Sequence, residues 1–138
     1  MVREHTGGRV RQLRLVVEAD DFEEAVAFYR DTLGLPVELD LESDGGAHVM
    51  ILDAGRATLE LSNEAQVAYI DDVEVGRRVA PRMRVAFEVD DAAAVTEELT
   101  GGGAELIAPP TRTPWDSINS RLAAPADLQI TVFEEGSD

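Results

Sequence analysis

The chain nearly repeats itself, and the repeat limits what it can fold into. Arg14, Glu18, Asp20 and Asp21 recur as Arg84, Glu88, Asp90 and Asp91, displaced by 84 − 14 = 70 positions. In both copies a short apolar stretch runs into an acidic pair. Alternation at period two marks a strand with one buried face, and an aspartate just before a helically spaced apolar run marks a helix start. Two strand–helix units in 138 residues predict a duplicated module related by a pseudo-twofold axis. Each unit covers one sheet face with its own helix and leaves the other face to curve around something.

Within the first unit, Leu13, Leu15 and Val17 alternate with Arg14, Val16 and Glu18. Asp20 or Asp21 caps the following helix, with Glu24 placed as in a capping box. Phe22, Ala25, Val26, Tyr29 and Leu33 follow at helical spacing, and Gly34 and Pro36 end the helix. Strands are expected over Val37 to Leu41, Ala47 to Asp53 and Arg56 to Leu61. Residues 62–82 read as polar and irregular. The second unit repeats the order. A strand over Arg84 to Val89 leads to a helix ended by Gly101-Gly102-Gly103. Further strands follow over Ala104 to Ile107, Ser120 to Ala123 and Gln129 to Phe133. Residues 108–115 are expected to form a loop, and Pro125-Ala126-Asp127 a turn. The organisation is therefore a polar tail (1–12), a first module (13–62), a connector (63–82) and a second module (83–135).

Composition excludes several functions. There are 28 acidic against 12 basic residues, a net charge of −16, which argues against a nucleic-acid partner. The same charge favours solubility and attracts cationic ligands. No stretch of about twenty apolar residues could span a membrane. The absence of cysteine removes disulfides and thiolate chemistry. A cytoplasmic location is expected.

The order strand–helix–three strands, twice, resembles the vicinal-oxygen-chelate superfamily, which includes glyoxalase I, bleomycin-resistance proteins and extradiol dioxygenases. Residues 21–35 are similar to the family's first helix and its exit, Ala57-Thr58-Leu59-Glu60-Leu61 to its fourth strand. Residues 114–121 with 129–134 are similar to its C-terminal hairpin. The usual final turn, Asp-Pro-Asp-Gly-Asn, is here Ala124-Pro125-Ala126-Asp127-Leu128. The resemblance implies an α+β fold of two βαβββ modules whose mixed sheet curls around a cleft, and a homodimer.

Metal-dependent members carry four inward-facing ligands. By resemblance those positions fall on Arg14, Glu60, Arg84 and Thr131, of which only Glu60 has ligand chemistry. Arginine stays cationic and has no lone pair to donate. No metal and no cofactor are therefore expected. The two histidines, His5 and His48, do not restore a ligand set; His5 belongs to the tail, and His48 faces either the cavity or the rim. Arg14, Glu60 and Arg84 are expected on one concave face. They read either as an internal ion-pair network or as groups that hydrogen-bond a ligand. In the network reading, removing Glu60 costs about 3–5 kcal/mol.

Trp115 lies in a proline-bracketed segment; in the resembling binding proteins this loop overhangs the cavity and its ring packs on a flat ligand. A core tryptophan closing the sheet is the other reading. Phe133, Met50 and His48 are expected to line the cavity, and Tyr69 to close over it or to meet a partner subunit. The function expected is metal-independent capture of an aromatic or peptide-like antibiotic, as bleomycin-resistance proteins do, with the acidic rim favouring a cationic one. The alternative is an enzyme of the same superfamily, an isomerase, lyase or dioxygenase. Its base would be Glu60, and a carboxylate held between guanidiniums is a poor proton acceptor.

Overall fold

A computed structural model of the chain describes residues 8–125 and 127–136. Its strands are β1 (Val10–Glu18), β2 (Val37–Glu42), β3 (His48–Asp53), β4 (Thr58–Ser62), β5 (Met83–Val89), β6 (Glu105–Arg112), β7 (Ser117–Ala124) and β8 (Leu128–Glu135). Its helices are α1 (Phe22–Val26, continued by a π-helical turn over Ala27–Thr32), α2 (Glu64–Glu74) and α3 (Ala92–Gly101). The strands form one curved sheet in the order β2-β3-β4-β1-β5-β8-β7-β6. The expected α+β fold is thus the one observed. His5 lies outside the described residues, as does most of the tail, and the chain is already strand at Val10.

The repeat fixes the centre of the sheet. β1 and β5 pair antiparallel, with Arg14 opposite Ala86, Leu15 opposite Val85 and Val16 opposite Arg84. Leu15 and Val85 are repeat equivalents, since 85 − 15 = 70. A residue facing its own equivalent is what a twofold axis through the seam requires. The flanking pairs obey the same symmetry: β1 runs parallel to β4, and β5 parallel to β8.

Strand alternation sorts the sheet into two unlike faces. Val89, Leu122, Ile130 and Val132 face α3 and form one buried cluster with Ala92. Met50, Leu52 and Leu61 face α1 and form another with Val26. The opposite, concave face mixes charged and polar side chains with apolar ones, and Val16, Ala86 and Phe133 form a small buried cluster on it. Asp21 caps α1 and Asp91 caps α3, each accepting a backbone N–H three residues on. Gly34 takes a left-handed φ of 85°, as a helix exit demands. Leu33, expected on the buried stripe, is 60% exposed. The wider π turn carries it out of phase with Phe22, Val26 and Tyr29.

Two segments differ from expectation. Residues expected to be irregular form α2, capped by Asn63, whose Oδ1 accepts from the Gln66 N–H at 2.8 Å. Its buried positions are Gln66, Val67, Ile70, Asp71 and Glu74. That stripe is helical in spacing but half polar, so hydropathy hides it. The expected loop at 108–115 is strand as far as Arg112. Pro109 and Pro110 are tolerated because β6 is an edge strand with irregular register around them. The turn residue Asp127 adopts a φ of 56°, which aspartate accepts better than most residues; Ala126 beside it lies outside the described residues.

Candidate functional site

The concave face and α2 enclose a cleft of about 560 Å³. Arg14, Glu60, Arg84, Thr131 and Phe133 line it, as do Tyr69 and Trp115. The strand positions converge because each has the parity that points away from α1 and α3. Met50 and His48 do not belong to this cleft. Met50 is buried beneath α1, and its neighbours Val49 and Ile51 line the cavity instead. His48 shares the parity of Met50; its ring lies 4.4 Å from Phe22, and its Nε2 is 2.7 Å from Asp40 Oδ1. The expectation placed the strand's alternation one residue out of phase, which moves every side chain to the other face.

The two arginines occupy different surroundings. Arg14 donates from Nε to Gln12 Oε1 at 3.0 Å and from Nη2 to Glu135 Oε1 at 3.2 Å. Its Nη1 lies 3.8 Å from Glu60 Oε1, and its guanidinium lies 4.7 Å above the Phe133 ring. Gln12 is itself fixed by Thr58 and Glu88. Arg84 donates from Nη1 to Thr131 Oγ1 at 2.6 Å. Burial pushes its guanidinium below the ordinary arginine range, and the nearby Arg121 charge adds to this. Glu74, Glu60 and Asp71 act in the opposite direction. The expected network of two arginines around one carboxylate is therefore not what forms. Among the described residues, Glu60 forms its ion pair with Arg14.

A different ion network, not anticipated from the sequence, fixes α2 over one end of the sheet. Arg121 of β7 is fully buried and donates to Asp71 at 2.8 Å and to Glu74 at 2.8 Å. Asn119 donates to Glu74 at 2.7 Å. Asp71 also accepts from the Val79 and Ala80 N–H groups, both at 2.9 Å. Arg78 links Asp71 to Glu18, so Glu18 leaves the cleft while its repeat equivalent Glu88 lines it. Burial would raise the Asp71 carboxyl, but the Ala80 N–H, the Arg121 guanidinium and the Val79 N–H outweigh it and hold it below the usual carboxylate value. The signal available in the sequence was Arg121 four residues before the turn at Pro125, with Asp71 and Glu74 at helical spacing in a segment read as loop.

Tyr69 of α2 and Trp115 of the β6–β7 turn meet with centroids 6.0 Å apart, their planes tilted by 50°. Trp115 is 37% exposed, so it belongs to the mouth of the cleft rather than to a closed core. Glu38, Glu88 and Glu135 contribute acidic groups to the cleft. Burial raises the Glu135 carboxyl; Arg14 opposes this and Glu88 adds to it.

The four positions expected, by resemblance, to correspond to metal ligands bring together one carboxylate, one hydroxyl and two guanidiniums. This donor set does not fit a divalent ion. Among the described residues, no three His, Cys, Asp or Glu side chains are grouped to hold a metal.

The Glyoxalase/Bleomycin resistance protein/Dioxygenase superfamily model matches residues 11–132. No curated protein matches the chain. The chain is similar in structure to methylmalonyl-CoA epimerase from Mycobacterium tuberculosis, with 20% identity, a TM-score of 0.68 and coverage of 97% of this chain and 94% of that one. A hypothetical protein from Bacillus halodurans C-125 matches with 15% identity and a TM-score of 0.68, covering 91% and 94%. A Streptomyces coelicolor methylmalonyl-CoA epimerase in complex with 2-nitronate-propionyl-CoA matches with 20% identity and a TM-score of 0.61, covering 94% and 98%. Likeness at this level of identity carries the fold.

Proposed function

This chain is a member of the glyoxalase/bleomycin resistance protein/dioxygenase superfamily, and from that premise we propose that it is a metal-independent binding protein that sequesters an aromatic or peptide-like antibiotic. The observation that carries the reading is the cleft itself. Guanidinium groups stand at the floor where ligating side chains would be needed, and two aromatic rings stand at the mouth. Capture needs no chemistry, only burial of the flat part of the guest against Trp115 and Tyr69. The acidic groups Glu38, Glu88 and Glu135 favour a guest with a cationic portion.

The proposal extends to a homodimer. Leu13, Leu15 and Met83 leave 38%, 36% and 60% of their surface exposed on the helix-bearing face, along the seam between the modules. A second copy covering that strip would leave both clefts open. Among the described residues, no helix is long and apolar enough to cross a membrane.

A second reading is a metal-independent isomerase. It is favoured by Glu135, whose raised carboxyl lines the cleft and is suited to proton transfer.

Tryptophan fluorescence separates the two. Titration of bleomycin-type glycopeptides and enediynes should quench Trp115 at micromolar concentration, equally with and without a chelator. Product formation that appears only with added Fe²⁺, Mn²⁺ or Zn²⁺ would overturn the binding reading, and metal-free turnover would favour the isomerase.

A further inference from the structure

We propose that Arg84 is a carboxylate receptor, and that the guest of the cleft is an aromatic acylamino acid or a peptide-like compound ending in one, with its carboxylate on Arg84 and its adjacent N–H on Gln66. This deepens the sequestration reading and rests on it for the aromatic half of the guest.

The pseudo-twofold axis shows what Arg84 lacks. On the first module, Val16 pairs with Glu60 of the parallel strand. On the second, Ala86, the equivalent of Val16, pairs with Thr131. Thr131 therefore stands where the first module has Glu60. Arg14 has the carboxylates of Glu60 and Glu135 beside it, whereas Arg84 has a hydroxyl. Among the described residues, no carboxylate lies within 4.0 Å of the Arg84 guanidinium. Yet Arg84 is only 8% exposed and lines the cleft.

A guanidinium has five N–H donors in a planar fork. One is spent on Thr131. A buried cation with no carboxylate in contact is costly, so a partner that brings a negative charge to it is favoured. A carboxylate matches the fork in two parallel hydrogen bonds and supplies the charge that Glu60 supplies in the other half.

A second orphan group belongs to a residue that lines the same cleft. Gln66 of α2 is 5% exposed, and its Oε1 is a buried acceptor without a donor among the described residues. It calls for an N–H from the guest. Carboxylate and neighbouring N–H together describe an acylamino acid. Glu38, Glu88 and Glu135 oppose negative charge away from Arg84, so a monocarboxylate, with any cationic portion toward these carboxylates, is favoured over phosphate and dicarboxylates. The aromatic side chain of the guest then lies toward Tyr69 and Trp115.

The test compares N-acetyl-phenylalanine with N-acetyl-phenylalaninamide by isothermal titration on the full chain. The acid should bind about tenfold or more tightly than the amide. In Arg84→Gln the two should converge to within about twofold. Equal affinity in the wild type, which requires no variant to fold, overturns the proposal. Failure of both aromatic probes defeats the aromatic reading alone, and sodium acetate then decides for Arg84. Acetate should raise the melting temperature of the wild type but not of Arg84→Gln, and sodium phosphate should raise neither. An equal rise in both proteins, no rise with acetate, or a matching rise with phosphate overturns the receptor. A purely structural Arg84 would instead make Arg84→Met melt lower than the wild type by about 5 °C or more; the proposal expects no such loss.

Discussion

Arg14 and Arg84 hold the same place in two copies of one module, and the fold has used them differently. Arg14 is spent on the protein: Gln12, Glu135, the Phe133 ring and, more loosely, Glu60 surround it. Arg84 is more deeply buried, and among the described residues its side-chain hydrogen bond goes to Thr131. One substitution between the modules, carboxylate to hydroxyl at the strand paired beside each arginine, turns a closed ion cluster into an open one. A duplicated fold can therefore build its scaffold with one copy of a motif and its binding chemistry with the other.

The largest expected effect lies at the network that holds α2 over the open half. Asp71→Ala should destabilise by about 3–5 kcal/mol, because it takes one of two carboxylates from the fully buried Arg121 and leaves the Val79 and Ala80 N–H groups without their acceptor. Urea unfolding reads this directly. Asp71 also sets an acid limb. Its folded carboxyl titrates below its unfolded value, so its stabilisation is complete above about pH 4 and fades as pH falls through the folded value. In Asp71→Asn this limb should flatten.

The arginines themselves come next. Arg14→Met should destabilise by about 1–3 kcal/mol, since it leaves Gln12 and Glu60 with less than their full complement of partners. Arg84→Met should be neutral or stabilising, because it removes a buried charge that has no carboxylate beside it. Equal losses at both positions would break the comparison.

Glu60→Gln should cost about 1 kcal/mol or less, well under the 3–5 kcal/mol range that a tight buried pair implies. The 3.8 Å separation from Arg14 is the reason. Smallest in stability is Trp115→Ala, a change at the mouth. It should instead weaken binding of an aromatic guest by about three- to tenfold, in line with 0.5–1.5 kcal/mol for a stacked ring.

Much of this architecture was legible because its signals were local. The 70-residue offset named the seam, and Asp21, Asp91 and Gly34 named helix ends whose chemistry depends on near neighbours. The parity of β1 and β5 placed Arg14 and Arg84 on the concave face. What was missed depended on distant partners. α2 buries Gln66, Asp71 and Glu74, and those residues look like a solvated loop until Arg121 and Asn119 are brought to them across the fold. The phase of β3 was equally hidden. Val49-Met50-Ile51-Leu52 is apolar throughout, so both of its faces are buried and alternation offers no clue. Met50 and His48 were misplaced for that reason. The ion network expected around Glu60 failed more subtly: the residues do share one cleft, but sharing a face does not set a distance.

The contrast between the two guanidiniums can be read on the guanidiniums themselves. Side-chain ¹⁵Nε–¹Hε NMR spectra, assigned with Arg84→Lys and Arg14→Lys, would be recorded as N-acetyl-phenylalanine is added. The Arg84 signal should move to saturation while the Arg14 signal stays in place. Movement of the Arg14 signal alone, or of neither while the ligand is shown to bind, would contradict the assignment of the open half of the cleft to the guest.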